Sequence, residues 1–379
     1  MSDEGSNGGE VWLVAADGSG GRNLTPGLPS SARSLHWRSA GELWLLESRA
    51  GGMALESLDP SSGARRDLWA GLESLSGFAV ARASGVTAAV RHAFDRPPEV
   101  HAGPPGEWRP VTSWNTSAPR FWGPVTSLGW ETPVGPAQGF LLPPAEVEPG
   151  RRYPLVVIVH GGPGGAHLAG WPSRWTGLLP SQGFYVLLPN PRGSFGCGAA
   201  FAQANVRDFG WGDLDDVLAG VDAALAAAPL DPGRLGIAGW SYGGYMAMWA
   251  PTRTARFKAA VAGAGIANWQ SYYGQNRIAR WMVPFFGATV YDDPWIYARS
   301  SPIAFVQKHR TPTLILHGER DSEVPAPQGY ELWRALRTLG VPSELVVYRD
   351  EGHALRRPEH QLDLQRRSVD WLRRWLVGE

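Results

Sequence analysis

A chain of 379 residues with 43% hydrophobic and 18% charged residues is globular in composition and long enough for one large domain or two ordinary ones. Lysine plus arginine equals aspartate plus glutamate at 35 each, which leaves no net field to favour nucleic acid or an anionic membrane. The single cysteine, Cys197, excludes an intramolecular disulfide framework, no run approaches the roughly 18 apolar residues of a membrane span, and the acidic start Met1-Ser2-Asp3-Glu4-Gly5 lacks a secretory plan, so a cytoplasmic location is expected.

Residues 1–118 read as short strands between Gly, Pro, Ser and Asp turns, with strands predicted at Val11–Ala15, Glu42–Glu47, Gly77–Ala81 and Thr87–His92. A weak repeat runs through them: VWLVAADGSGGRNL returns as ALESLDPSSGARRDL and again, shortened, as EVHAGPPGEWRPV. Arg22, Arg65 and Arg109 mark it, spaced by 43 and 44 residues, the length of one four-stranded propeller blade. An irregular β-rich extension is the alternative. The copies amount to about two and a half blades, whereas closure needs at least four, so strand edges are left open. Either the chain is a fragment, or the hydrolase part or a second subunit covers them; association into a homo-oligomer through these edges is expected.

In residues 119–379 apolar runs of strand length alternate with helical stretches, which predicts βαβ units and a mostly parallel sheet with helices on both faces. The runs are Leu155–Val159, Tyr185–Leu188, Leu235–Ala238, Ala259–Ala262, Thr313–Leu316 and Glu344–Tyr348. Helices are predicted over Asp213–Ala228, with acidic residues in its first turn as the helix dipole favours, and over Gln361–Leu376.

The strongest chemical signal is the strand Leu235–Ala238 running into Gly239-Trp240-Ser241-Tyr242-Gly243, with helix formers directly after. A Gly-x-Ser-x-Gly between a strand and a helix is the nucleophile turn of an α/β-hydrolase fold. A hydroxyl needs a base, and imidazole suits neutral pH. In that fold the partners follow in the order serine, acid, histidine, just beyond the carboxyl ends of strands. Asp321 is the favoured acid and Glu319 its nearest rival; Asp350 and Glu351 lie too close in sequence to His353, the base. His317 is expected to shape its loop, and His36, His92, His101 and His360 to be surface or packing residues. Oxyanion donors are expected from the Tyr242 amide and from Gly162, in the segment His160-Gly161-Gly162-Pro163-Gly164-Gly165. That segment has neither a Gly-Lys-Ser/Thr ending nor a dinucleotide fingerprint, which argues against a phosphate cradle. No His, Cys and Asp set has metal-ligand spacing and Cys197 has no second thiol, so neither a metal nor a cofactor is expected.

The stretches YPLVVIVHGGPGG, LPNPRGSFGCG, DPGRLGIAGWSYGGYMAMW, RSSPIAFVQKHRTPTLILHGERDSEVP and YRDEGHALRRPEHQLD span about residues 150–365. In kind and order they resemble the prolyl oligopeptidase family of serine peptidases, nearest its acylaminoacyl-peptidase-like branch. The resemblance implies a triad of Ser241, Asp321 and His353, an oxyanion hole from Gly162 and Tyr242, and an N-terminal propeller that restricts substrate size. Two departures stand out. The propeller-like part is much shorter than the family's usual one. Glu323 stands two residues after the implied triad aspartate, where relatives of this branch often carry an arginine that donates to a substrate carbonyl; a glutamate would instead attract a free α-ammonium. In relatives the segment corresponding to 269–286 supplies an aromatic pocket, which implies Trp269, Trp281, Phe285 and Phe286 as substrate-binding candidates.

The function expected is hydrolysis of short peptides of aminopeptidase or acylaminoacyl-peptidase type, with apolar preference, through an acyl-enzyme. Two alternatives stand beside it: a carboxylesterase using the same residues on apolar esters, and, more remotely, a non-catalytic protein whose β-rich part is a docking surface.

Overall fold

The computed structural model describes residues 8–172 and 174–378. Among the described residues the N-terminal part forms strands and turns and no helix. A short pair, β1 (Trp12–Leu13) and β2 (Arg22–Asn23), precedes two antiparallel four-stranded sheets. The first runs β3 (Ser31–Ser39), β4 (Glu42–Arg49), β5 (Gly52–Leu58) and β6 (Arg65–Gly71); the second runs β7 (Ser74–Val80), β8 (Thr87–Ala93), β9 (Arg96–Gly103) and β10 (Arg109–Pro110). Arg22, Arg65 and Arg109 each stand in the last strand of their unit, paired with the strand before it. The repeat therefore marks the same position in successive units of a partial propeller.

The rest of the chain forms the hydrolase part around one eight-stranded sheet. Its order across the sheet is β11 (Thr126–Trp130), β12 (Ala137–Leu142), β14 (Tyr185–Asn190), β13 (Tyr153–Val159), β15 (Leu230–Trp240), β16 (Phe257–Gly263), β17 (Thr313–Gly318) and β18 (Ser343–Tyr348). The ladders β11–β12 and β12–β14 are antiparallel and all others are parallel. Strand β13 shows why its sequence is apolar without interruption. Leu155, Val157 and Val159 enter the core on one face, while Val156 and Ile158 enter the core on the other, as a parallel strand covered on both sides requires. Helices Gly212–Ala227, Tyr242–Arg253 and Pro327–Thr338 cover the first face; Pro358–Leu376 covers the second with Leu364, Val369, Leu372 and Leu376.

The two parts are stitched by polar contacts. Ala50 N–H donates to Gly196 O at 3.0 Å, Gly196 N–H to Ser31 Oγ at 2.9 Å, and Trp171 N–H to His92 Nδ1 at 2.9 Å. His92, read from sequence as a surface or packing residue, is thus a fastener between the parts. Among the described residues no helix is long and apolar enough to cross a membrane.

Candidate active site

Strand β15 delivers Ser241 to the amino end of helix Tyr242–Arg253. Ser241 sits at φ 61° and ψ −120°, a conformation that costs a residue with a Cβ on the order of 1–3 kcal/mol. The surroundings hold it there. Its N–H donates to Gly263 O at 2.9 Å, and its carbonyl accepts from Tyr245 N at 2.9 Å. The flanking glycines allow backbone to pass backbone: a Cβ on Gly243 would stand 2.0 Å from Val159 O, and one on Gly239 2.4 Å from the Gly243 carbonyl carbon. No other residue type fits either place.

Asp321 and His353 come from the loops after β17 and β18. Asp321 is buried, and its two oxygens divide their work. Oδ1 accepts from the Glu323 and Val324 amides, each at 2.9 Å, while Oδ2 meets His353 Nδ1 at 2.7 Å. The rival carboxylates are engaged elsewhere. Glu319 accepts from the Asp350 amide, and Asp350 pairs with Arg320 and Arg357. Glu351 is buried and accepts from Arg356 N, Arg357 N and His360, holding the entry to helix Pro358–Leu376. His317 is fully buried, and desolvation pushes its imidazole down to about 4. Neutral, it meets Val324 O through Nε2 at 3.1 Å and so shapes the loop that carries Asp321.

Ser241 and His353 line one cavity of about 420 Å³ together with Gly161, Gly162, Tyr242 and Glu323. As the first residue of its helix, Tyr242 has an amide with no intrahelical acceptor. Gly162 sits at φ 135°, open only to glycine. The apolar wall comprises Ile266, Tyr272, Ile278, Trp281 and Val324. Of the four aromatic candidates, only Trp281 stands on that wall. Trp269, Phe285 and Phe286 lie behind it, packed around Phe209 with ring centroids 5.5, 5.0 and 5.2 Å away. Glu323 Oε2 is 3.9 Å from His353 Nε2, and Glu323 Oε1 is 3.6 Å from Arg277 Nη2. Ile266 and Val324 were open to discovery by position alone, since each follows the carboxyl end of a central strand. Among the described residues no group of three or more histidine, cysteine, aspartate or glutamate side chains could hold a metal ion.

Asp213 carries more than the dipole role its place in the first helical turn suggests. It is fully buried, and the Tyr242 hydroxyl donates to its Oδ2. Leu214 N–H donates to Oδ1 at 2.9 Å. Desolvation, opposed by the Tyr242 hydrogen bond and reinforced by Asp208 and Asp216, raises its carboxyl to about 7. Arg192, bonded to both Asp216 oxygens at 2.8 and 2.7 Å, is the nearby cation. A carboxyl raised on folding is protonated in the native state while already ionised in the unfolded one. Its contribution to stability therefore falls as pH climbs from about 4 to about 7 and is level above that. Relative to Asp213→Asn, the wild-type chain should lose Tm across that window; a constant Tm difference from pH 4.5 to 7.5 would refute the buried acid.

The model of the prolyl oligopeptidase family matches residues 173–379. The chain is 38% identical over 224 residues to the uncharacterized peptidase YuxL of Bacillus subtilis, covering 59% of this chain and 34% of that one. It is 31% identical over 327 residues to dipeptidyl-peptidase 5 of Porphyromonas gingivalis, covering 83% of this chain and 47% of the relative. It thus spans between a third and a half of the length of these curated relatives. Its fold overlays that of the acylaminoacyl peptidase of Pyrococcus horikoshii with a TM-score of 0.86 at 24% identity, over 97% of this chain and 59% of that one. With a family match over more than half its length, drawn from the same strands and loops that bring Ser241, Asp321 and His353 to one rim of the sheet, the chain belongs to the prolyl oligopeptidase family of serine peptidases.

Proposed function

We propose that the chain removes single residues with apolar side chains from the free amino ends of short peptides, through an acyl-enzyme on Ser241. In this reading His353 Nε2 takes the Ser241 proton as the hydroxyl attacks the scissile carbonyl. Asp321 holds Nδ1–H and stabilises the imidazolium. The Gly162 and Tyr242 amides receive the developing oxyanion, each contributing about 3 kcal/mol to lowering the barrier. His353 then gives its proton to the leaving amine, and water repeats the sequence on the ester.

The observation that supports the amino-end reading is Glu323. Among the described residues it is the one carboxylate on the wall of the cavity that holds Ser241, and that lining contains no lysine or arginine. The α-nitrogen of the first residue lies only about 2.5 Å from its carbonyl carbon. A carboxylate 3.9 Å from His353 Nε2 therefore sits within reach of that nitrogen rather than of one a residue further along. The apolar wall of Ile266, Tyr272, Ile278, Trp281 and Val324 favours an apolar side chain on the same residue.

Glu323→Gln should lower kcat/KM on leucine anilide by about tenfold while changing N-acetyl-leucine anilide by less than about twofold. An equal effect on both would remove the ammonium role. A wild-type preference for dipeptidyl anilides would move the amine one residue outward. Turnover of acyl esters with none of any anilide would favour the carboxylesterase.

A further inference from the structure

We propose that a second, open cavity between the N-terminal sheets and the catalytic sheet holds the leaving half of the peptide, and that Arg33 there binds its free α-carboxylate. The inference rests on Ser241 being the nucleophile.

The cavity measures about 860 Å³, twice the space on the Glu323 side. Gly161 lines both, and a Cβ added to it would stand 3.4 Å from Ser241 Cβ, so the two spaces meet beside the nucleophile. Trp240 lines the larger cavity as well. Its Nε1–H donates to His353 O at 2.8 Å, and its ring lies 6.4 Å from the imidazole. The base must hand its proton to the leaving amine, so that amine has to depart alongside His353. With the acyl side filling the smaller space, the larger one is left for the remainder of the peptide.

Charge then selects what ends there. Among the described residues of the lining Arg33 is the one fixed cation and none is a carboxylate. The three histidines of the lining, His92, His160 and His167, are all pushed below the usual imidazole range by burial, His167 to about 3, and are neutral at pH 7. Arg33 is exposed on β3 and has no carboxylate partner among the described residues; its guanidinium lies 5.9 Å over the Phe195 ring. That ring is fixed relative to the chemistry, because Phe195 N–H donates to Gly165 O at 2.8 Å within the glycine-rich loop. An unpaired guanidinium with its planar fork free is suited to a carboxylate. With Glu323 at the far end, the two cavities together match the two charges of a short peptide whose ends are both free.

Leu-Gly-Gly and its carboxyl-terminal amide test this on the full chain, with leucine anilide as the reporter of acylation chemistry. The wild-type chain should prefer the free acid by about tenfold in kcat/KM, and Arg33→Gln should bring the acid-to-amide ratio to about one. A second measurement needs no variant: glycylglycine should inhibit anilide cleavage about tenfold more strongly than glycylglycine amide. A wild-type ratio near one, equal inhibition by the two dipeptides, or a ratio that survives Arg33→Gln would overturn the carboxylate site. If the wild-type chain cleaved neither the peptides nor the anilide, the chemistry assigned to Ser241 would fall first, and this inference with it.

Discussion

Ser241→Ala is expected to lower kcat on leucine anilide by about 10⁴-fold or more and to abolish labelling by a fluorophosphonate, with the chain still folded. In the proposed mechanism the loss follows from removing the atom that forms the acyl-enzyme, since the Gly162 and Tyr242 amides would then have no oxyanion to receive. The backbone supplies an independent check. Ser241 is held at φ 61° and ψ −120°, which alanine tolerates no better than serine but glycine adopts readily, as in the first central position of a type II′ turn. Ser241→Gly should therefore be equally inactive yet more stable than Ser241→Ala by about 1 kcal/mol. Two inactive variants of equal stability would mean that the turn stores no strain. A fluorophosphonate adduct persisting on Ser241→Ala would place the nucleophile elsewhere.

The turn at Ser241 is legible in sequence because its glycines answer to backbone geometry alone. Gly243 must let Val159 O pass, and no side chain can satisfy that contact. The period marked by Arg22, Arg65 and Arg109 is legible for a similar reason, since each stands in the closing strand of its unit. Other features depend on what lies across the fold. Four carboxylates near His353 look alike in sequence; what separates them is which one is held on one oxygen by two backbone amides with its other oxygen against His353 Nδ1. The aromatic segment is legible as apolar but not as inside or outside the cavity. Phe209, far upstream, packs against all four rings; Trp269, Phe285 and Phe286 are buried behind the wall, while the half-buried Trp281 reaches it. Asp213 is concealed by a sufficient local reason for its presence, the helix dipole, so nothing in the sequence asks for its bond to Tyr242. The placing of Arg33 over Phe195, whose backbone is bonded to the glycine-rich loop, arises only from the docking of two parts whose sequences do not refer to one another.

Asp321→Asn should be nearly as damaging as loss of the nucleophile, by about 10⁴-fold in kcat at neutral pH, although it changes one atom. Oδ1 of Asp321 receives two backbone N–H groups, from Glu323 and Val324, each at 2.9 Å. An asparagine must present its carbonyl oxygen there, because an amide NH₂ against two donors would leave all three unsatisfied in a buried place. Its NH₂ then faces His353 Nδ1, where the carboxylate oxygen stood at 2.7 Å. Nδ1 is obliged to accept, the ring proton moves to Nε2, and the nitrogen that takes the Ser241 proton in the proposed mechanism already carries one. Glu323 cannot substitute, because its carboxylate lies 3.9 Å from Nε2, the other side of the ring. The rate of fluorophosphonate labelling of Ser241 should fall together with kcat, since both need the same proton removed. A loss of less than about tenfold, with labelling unimpaired, would mean that the tautomer of His353 is set by another group, and that the hydrogen bond between residues 321 and 353 is structural rather than catalytic.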